Sequence, residues 1–126
     1  MDSEVSVIVV GWAEQPEYKQ AVACLNREGL EVEQARGPTD LPSLLRRHRQ
    51  TTIVVYDSSS SERAEEVLTQ VAKLGRTTPV VVVVDSANFG SYHQLMRRGA
   101  CGYYELSEGP DLIAHAVSHF ARVRAA

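Results

Sequence analysis

The sequence has little of what would tie it to a membrane, a disulfide framework or a nucleic acid. Only two of its 126 residues are cysteines, Cys24 and Cys101. They lie far apart and in no metal-ligand spacing, which argues against a disulfide scaffold and fits reduced thiols in a cytoplasmic protein. The longest wholly apolar run, residues 80–84, is far too short to cross a bilayer. Residues 1–4 are acidic where a secretory leader would be basic. A net charge of -3 gives no general pull toward nucleic acid. No glycine-rich phosphate fingerprint follows the first apolar run, so a nucleotide cradle of the usual kind is not expected. What remains is a chain with 44% hydrophobic residues, long enough to bury a core without disulfides or a structural metal.

Short β-branched runs alternate with segments of helical periodicity, five times over. Residues 5–10 are nearly continuous apolar sequence ending at Gly11, as expected of a strand buried on both faces. Pro16 can open a helix whose stripe is Tyr18, Ala21, Val22 and Leu25, with Gly29 to end it. Residues 30–35 alternate like a half-buried edge strand. Asp40 is placed to cap a helix bearing Leu41, Leu44 and Leu45. Residues 52–56 form the third strand, ending at Asp57. Ser59 and Glu62 have capping-box spacing ahead of a stripe of Val67, Leu68, Val71 and Leu74. Residues 80–84 read as a central strand, followed by a helix from about Asn88 to Gly99. A short fifth strand at residues 102–105 precedes a last helix opened by Pro110. Strict alternation with short connections predicts one domain over residues 1–126, its core at about 5–124. The predicted fold is α/β, a doubly wound (βα)5 unit with a five-stranded parallel sheet.

Chemistry in such a sheet lies beyond the carboxyl ends of the strands, near the point where strand order reverses. The residues there are Gly11 and Trp12, Asp57 and Ser58, Asp85 and Ser86, and Leu106 and Ser107. Val7-Ile8-Val9-Val10, Ile53-Val54-Val55-Tyr56-Asp57, Pro79 with the following valines, and Gly99-Ala100-Cys101-Gly102-Tyr103 occur in order. Together they resemble the landmarks of a response-regulator receiver domain, which has the flavodoxin-like architecture just described. The resemblance implies that Asp57 stands where such domains accept a phosphoryl group. It equally implies what is missing. Gly11 and Trp12 replace the acidic pair that helps hold Mg2+, Val84 replaces a hydroxyl residue, Leu106 a lysine, and Ser107 a proline. Phosphoryl transfer depends on metal and charge stabilisation, and losing one stabiliser commonly lowers a rate about a hundredfold. Asp57 is therefore expected to be a vestigial acceptor, with no cofactor and no Mg2+ binding. Glu14 and Asp85 lie close enough in sequence to serve as substitute ligands, although solvated loop acids are the simpler reading. Trp12 either fills the space a metal and its waters would take or packs under the loop after the first strand. Asp57 itself can serve as a helix cap.

The resemblance also implies a switching aromatic at Tyr103, coupled to a surface of the fourth helix, fifth strand and fifth helix. That surface would include Phe89, Tyr92, Arg97, Arg98, Tyr104 and His119, a mixture suited to a protein contact. Other patterns carry less. Ser58 to Ser61 before a helix could hold an anion, as in a flavodoxin-like binder, although serine runs more often serve as caps. Asp111, His115 and His119 are spaced by four, but a surface histidine pair is the simpler reading than a metal site. Arg46, Arg47 and Arg49 suit a helix C-terminus better than a nucleic-acid contact. The expectation is a non-enzymatic, cytoplasmic pseudo-receiver of a signalling or transcription-control protein, acting without phosphorylation. It would form a homodimer or dock on a protein partner or its own effector domain, with no direct nucleic-acid or membrane contact. The chain ends just past its last helix, which fits either a stand-alone domain or the regulatory part of a longer protein. The alternatives are a phosphoryl-accepting receiver using Asp57 with Glu14 or Asp85, and an anion or cofactor binder at the serine run.

Overall fold

The computed structural model describes residues 6–12, 16–48, 50–57, 61–75 and 77–125, with side chains as far as Arg122. Five strands, β1 (Ser6–Val10), β2 (Glu31–Ala35), β3 (Thr51–Asp57), β4 (Val80–Val84) and β5 (Gly102–Glu105), alternate with five helices. The helices are α1 (Tyr18–Arg27), α2 (Leu41–Arg47), α3 (Glu62–Lys73), α4 (Phe89–Arg97) and α5 (Pro110–Ala125). The strands form one parallel sheet in the order β2-β1-β3-β4-β5. The order reverses between β1 and β3, so the crevice for chemistry opens where Val10 and Val55 stand side by side.

Every residue of β1, β3 and β4 is buried, because helices cover both faces. Ile8, Val10, Ile53, Val55, Val80, Val82 and Val84 pack against α2, α3 and Leu95 of α4. The alternate residues, among them Val7, Val9, Val54, Tyr56, Val81 and Val83, pack against Ala21 and Leu25 of α1 and against α5. Period-two alternation thus sorts each strand between two apolar layers. β2 lies at the edge, as its alternating pattern predicts, and β4 lies inside the sheet.

Two local expectations need correction. Pro16 lies in a turn with Glu17, and the helix proper begins at Tyr18. Asp40 stands at the N-cap of α2, but its Oδ2 turns back to accept the Arg36 amide at 2.9 Å. The Ser59 half of the Ser59–Glu62 capping box lies outside the described residues; α3 starts at Glu62 behind Ser61, whose side chain makes no cap bond. The Ser61 hydroxyl donates instead to the Glu65 carboxylate at 3.0 Å.

Candidate functional site

Asp57 ends β3 and is only 5% exposed. Its Oδ2 accepts the amide of Ala64 at 2.9 Å, within the first turn of α3. The Arg63 amide also bonds to the carboxylate. The last residue of the strand therefore caps the helix that follows the loop. This satisfies amides that no intrahelical carbonyl can reach, and it places an anion at the positive end of the helix. Burial raises the Asp57 carboxyl above the usual carboxylate range, opposed by the Ala64 amide and the Arg63 charge.

Arg63 is the functional residue that sequence reasoning missed. Its Nη1 donates to the Tyr56 carbonyl at 2.9 Å, carrying the guanidinium back over the end of β3. There it crosses Gly11, which has a φ of +79° and no side chain. One signal was available in the sequence. A cation at the second position of a helix opposes the macrodipole, so something else must hold it there.

The other predicted site residues separate. Trp12 is fully buried in the layer that holds Tyr56, α1 and α5, with its ring edge-on to Tyr18 at 6.0 Å. It thus packs under its loop and does not fill a metal's place, for Asp57 follows Val55 on the alternate face of β3. Its Nε1 has no hydrogen-bond partner among the described residues. Asp85 is exposed and accepts a hydrogen bond from the Tyr56 phenol, whose pKa is pushed up to about 12 by burial first and this carboxylate second. Glu14 and Ser58 lie outside the described residues, so the expected role of Glu14 as a substitute ligand and of the serine run as an anion site stay with the sequence. Val84 pairs in register with Asp57, presenting methyls beside the carboxylate. Leu106 is half-buried against the α1/α5 layer.

At the far side of β4, two β5 side chains hold the loop that leads to α4. The Tyr103 hydroxyl accepts the Asn88 amide at 3.2 Å, and Glu105 Oε2 accepts the Ala87 amide at 2.6 Å. Asn88 in turn caps α4 through Ser91 at 3.0 Å. Tyr103 is half-buried and meets Tyr92 edge-on at 5.5 Å, and Tyr92 adjoins Phe89 at 6.4 Å. Phe89 is 81% exposed. Tyr104 points to the other layer, near Phe120, and burial raises its phenol. His119 is exposed with its ring edge-on to Phe120.

Arg98 departs from expectation. Its guanidinium reaches α3, donating to Thr69 Oγ1 at 2.8 Å and pairing with Glu65 at 3.5 Å, so it serves α3–α4 packing more than a contact surface. Arg97 stays exposed beside Phe89 and His93. The basic cluster at the end of α2 is tied to the sheet edge, with Arg47 and His48 both on Glu33 of β2, while Arg49 lies outside the described residues. Asp111 accepts from Cys24 and Gln20 and so joins α5 to α1. Among the described residues no cluster of acids, histidines and cysteines could hold a metal ion. No helix there is long and apolar enough to cross a membrane.

The sheet order, the two helical layers and the aspartate at the switch point define a receiver-type α/β domain. Solved structures agree. The receiver domain of the response regulator NarL from Mycobacterium tuberculosis is 18% identical over 96% of this chain and 98% of its own, with a TM-score of 0.77. A CheY-like receiver protein from Methanospirillum hungatei is 15% identical over 98% of each chain, at 0.71. An atypical orphan response regulator is 14% identical over 93% of this chain and 95% of its own, at 0.73. No protein-family model and no curated protein matches the sequence. The chain has the receiver fold.

Proposed function

We propose that the chain is a pseudo-receiver, a non-enzymatic cytoplasmic module of signal transduction or transcription control that acts through protein contacts without phosphorylation. The observation that carries this is the carboxylate of Asp57 accepting the amides of α3. A phosphoryl group on Asp57 would break those bonds at a buried position, with Val84 beside it where an acceptor hydroxyl would stabilise it and with Leu106 supplying no cation in place of a lysine. The fold relative described above as an atypical orphan regulator is itself reported to use a phosphorylation-independent mechanism. Output then rests on the exposed aromatics at the start of α4, Phe89 and Tyr92, which connect through Tyr103 to the loop after β4. Aromatics beside an arginine suit a protein partner, first a second copy of this chain, otherwise a separate protein or the chain's own effector domain.

Amide chemical shifts followed during addition of Mg2+ and beryllofluoride test the reading. No change at Asp57, Ala64 or Tyr103 at millimolar concentrations is expected. Saturable shifts clustered at those three residues would replace it with the phosphoryl-accepting alternative.

A further inference from the structure

The space over Gly11 is filled by a side chain from another element. A Cβ built on Gly11 would lie 2.3 Å from Nη1 of Arg63, 2.9 Å from its Cζ and 3.2 Å from its Cδ. Carbon and nitrogen do not approach so closely, so the guanidinium can stand there only because residue 11 has no side chain. The loop already needs glycine for its positive φ, and the arginine makes a second demand on the same position. The guanidinium is pinned by the Tyr56 carbonyl at 2.9 Å, over Gly11 at the end of β1, and its charge acts on the Asp57 carboxyl to lower its pKa.

A divalent ion does not fit this corner as the described residues form it. Mg2+ requires near-octahedral oxygen coordination, usually anchored by one or two carboxylates. Gly11 supplies no side-chain oxygen, and Trp12 is turned into the other layer. Asp85 is engaged by Tyr56, Asp57 by α3, and the Tyr56 carbonyl by Arg63 itself. A dication would also meet the guanidinium as a like charge.

We propose that Arg63 is the resident cation of the Asp57 pocket, admitted by the missing side chain of Gly11 and standing where a divalent metal would otherwise be needed. Arg63 is a positioning residue: it keeps Asp57 ionised and aimed at α3 without metal. Gly11 and Arg63 act as a unit. The proposal holds whichever surface the domain uses, so its failure and that of the contact reading are separable.

Carboxyl-carbon NMR titration of Asp57 reads the effect directly. Arg63→Gln should tighten proton binding to Asp57 roughly threefold to tenfold. Arg63→Lys, which keeps the charge, should return most of the difference. Gly11→Ala should expel the guanidinium and reproduce the Arg63→Gln titration, and adding it to Arg63→Gln should change the titration little further. Because Arg63 is exposed, its replacements should fold; the Gly11 variant is judged on the titration and not on stability. Millimolar Mn2+ should leave the amides of Gly11, Asp57 and Ala64 unbroadened in the wild type. An Asp57 titration indifferent to Arg63→Gln, or localised Mn2+ broadening at those amides in the wild type, overturns the proposal.

Discussion

Asp57 carries two opposed demands, since its oxygens are needed as acceptors at the start of α3 while its charge is costly at 5% exposure. Burial wins the balance, so the folded protein holds the Asp57 proton more tightly than the unfolded chain does. Between the two pKa values the native state binds the extra proton, and stability falls as pH rises through that interval. The two demands separate by mutation. Asp57→Asn keeps an acceptor for Ala64 and removes the charge, so its melting temperature at pH 7 should exceed the wild type's, the gain fading as pH approaches about 4. Asp57→Ala loses the acceptor as well and should destabilise by about 0.5–2 kcal/mol, the usual cost of a lost cap. Thermal melts of both variants across that range check the pair. A destabilised Asp57→Asn at neutral pH would mean that the charge itself holds the site together. The place of Asp57 was legible in the sequence, because a β-branched run ending in aspartate announces a strand end. The reach of Arg63 was not. It depends on a φ of +79° at Gly11 and on the switch point that sets β1 beside β3, neither of which local sequence encodes.

Among the helices, α4 is held least by its core. Leu95 is its one fully buried residue, whereas α3 buries Ala64, Val67, Leu68 and Val71. Polar links at its two ends make up the difference. Tyr103 and Glu105 grip the entry loop, and at the exit Glu65 of α3 receives Gln94 at 3.0 Å and Arg98 at 3.5 Å. Such partly exposed pairs contribute up to about 1 kcal/mol, so they affect mobility more than global stability. Glu65→Ala should therefore cost no more than about 1 kcal/mol in denaturant unfolding. It should nonetheless speed amide exchange over the last turn of α4, at Arg97, Arg98 and Gly99. Exchange rates unchanged there would show that Leu95 alone fixes the helix. Sequence periodicity located every one of these elements, because buried parallel strands and amphipathic helices write themselves into apolar spacing. It was less complete at the helix starts. Asp40 has the composition of a cap, yet it bonds backward to Arg36, whereas the capping role open to Asp57 is the one it takes, across the loop that leads to α3. Such bonds are set by tertiary placement, which spacing does not record.

At the scale of the whole molecule, the two apolar layers leave few large hydrophobic side chains outside. Among the described residues these are Leu74, Phe89, Tyr92 and Leu112. Strict alternation of strands and helices announced the layers, but it could not show which apolar residues they would leave uncovered. Phe89 and Tyr92 stand one helical turn apart at the start of α4, on the carboxyl end of the sheet, while Leu74 follows α3 at the opposite end. Phe89, at 81% exposure, meets only the rings of Tyr92 and His93, on its own helix, among the aromatic side chains of the described residues. A charge there should leave folding unchanged while making association unfavourable, since an anchor in an interface centre commonly carries 2 kcal/mol or more, at least about thirtyfold in affinity. Light scattering over a concentration series should therefore show concentration-dependent mass for the wild type, lost in Phe89→Glu and Tyr92→Glu and retained in Leu74→Glu. Circular dichroism should be the same for all four proteins. A wild type of monomer mass throughout would remove self-association from the proposed function. Equal loss in Leu74→Glu would trace association to general hydrophobicity and take the assigned surface away from α4.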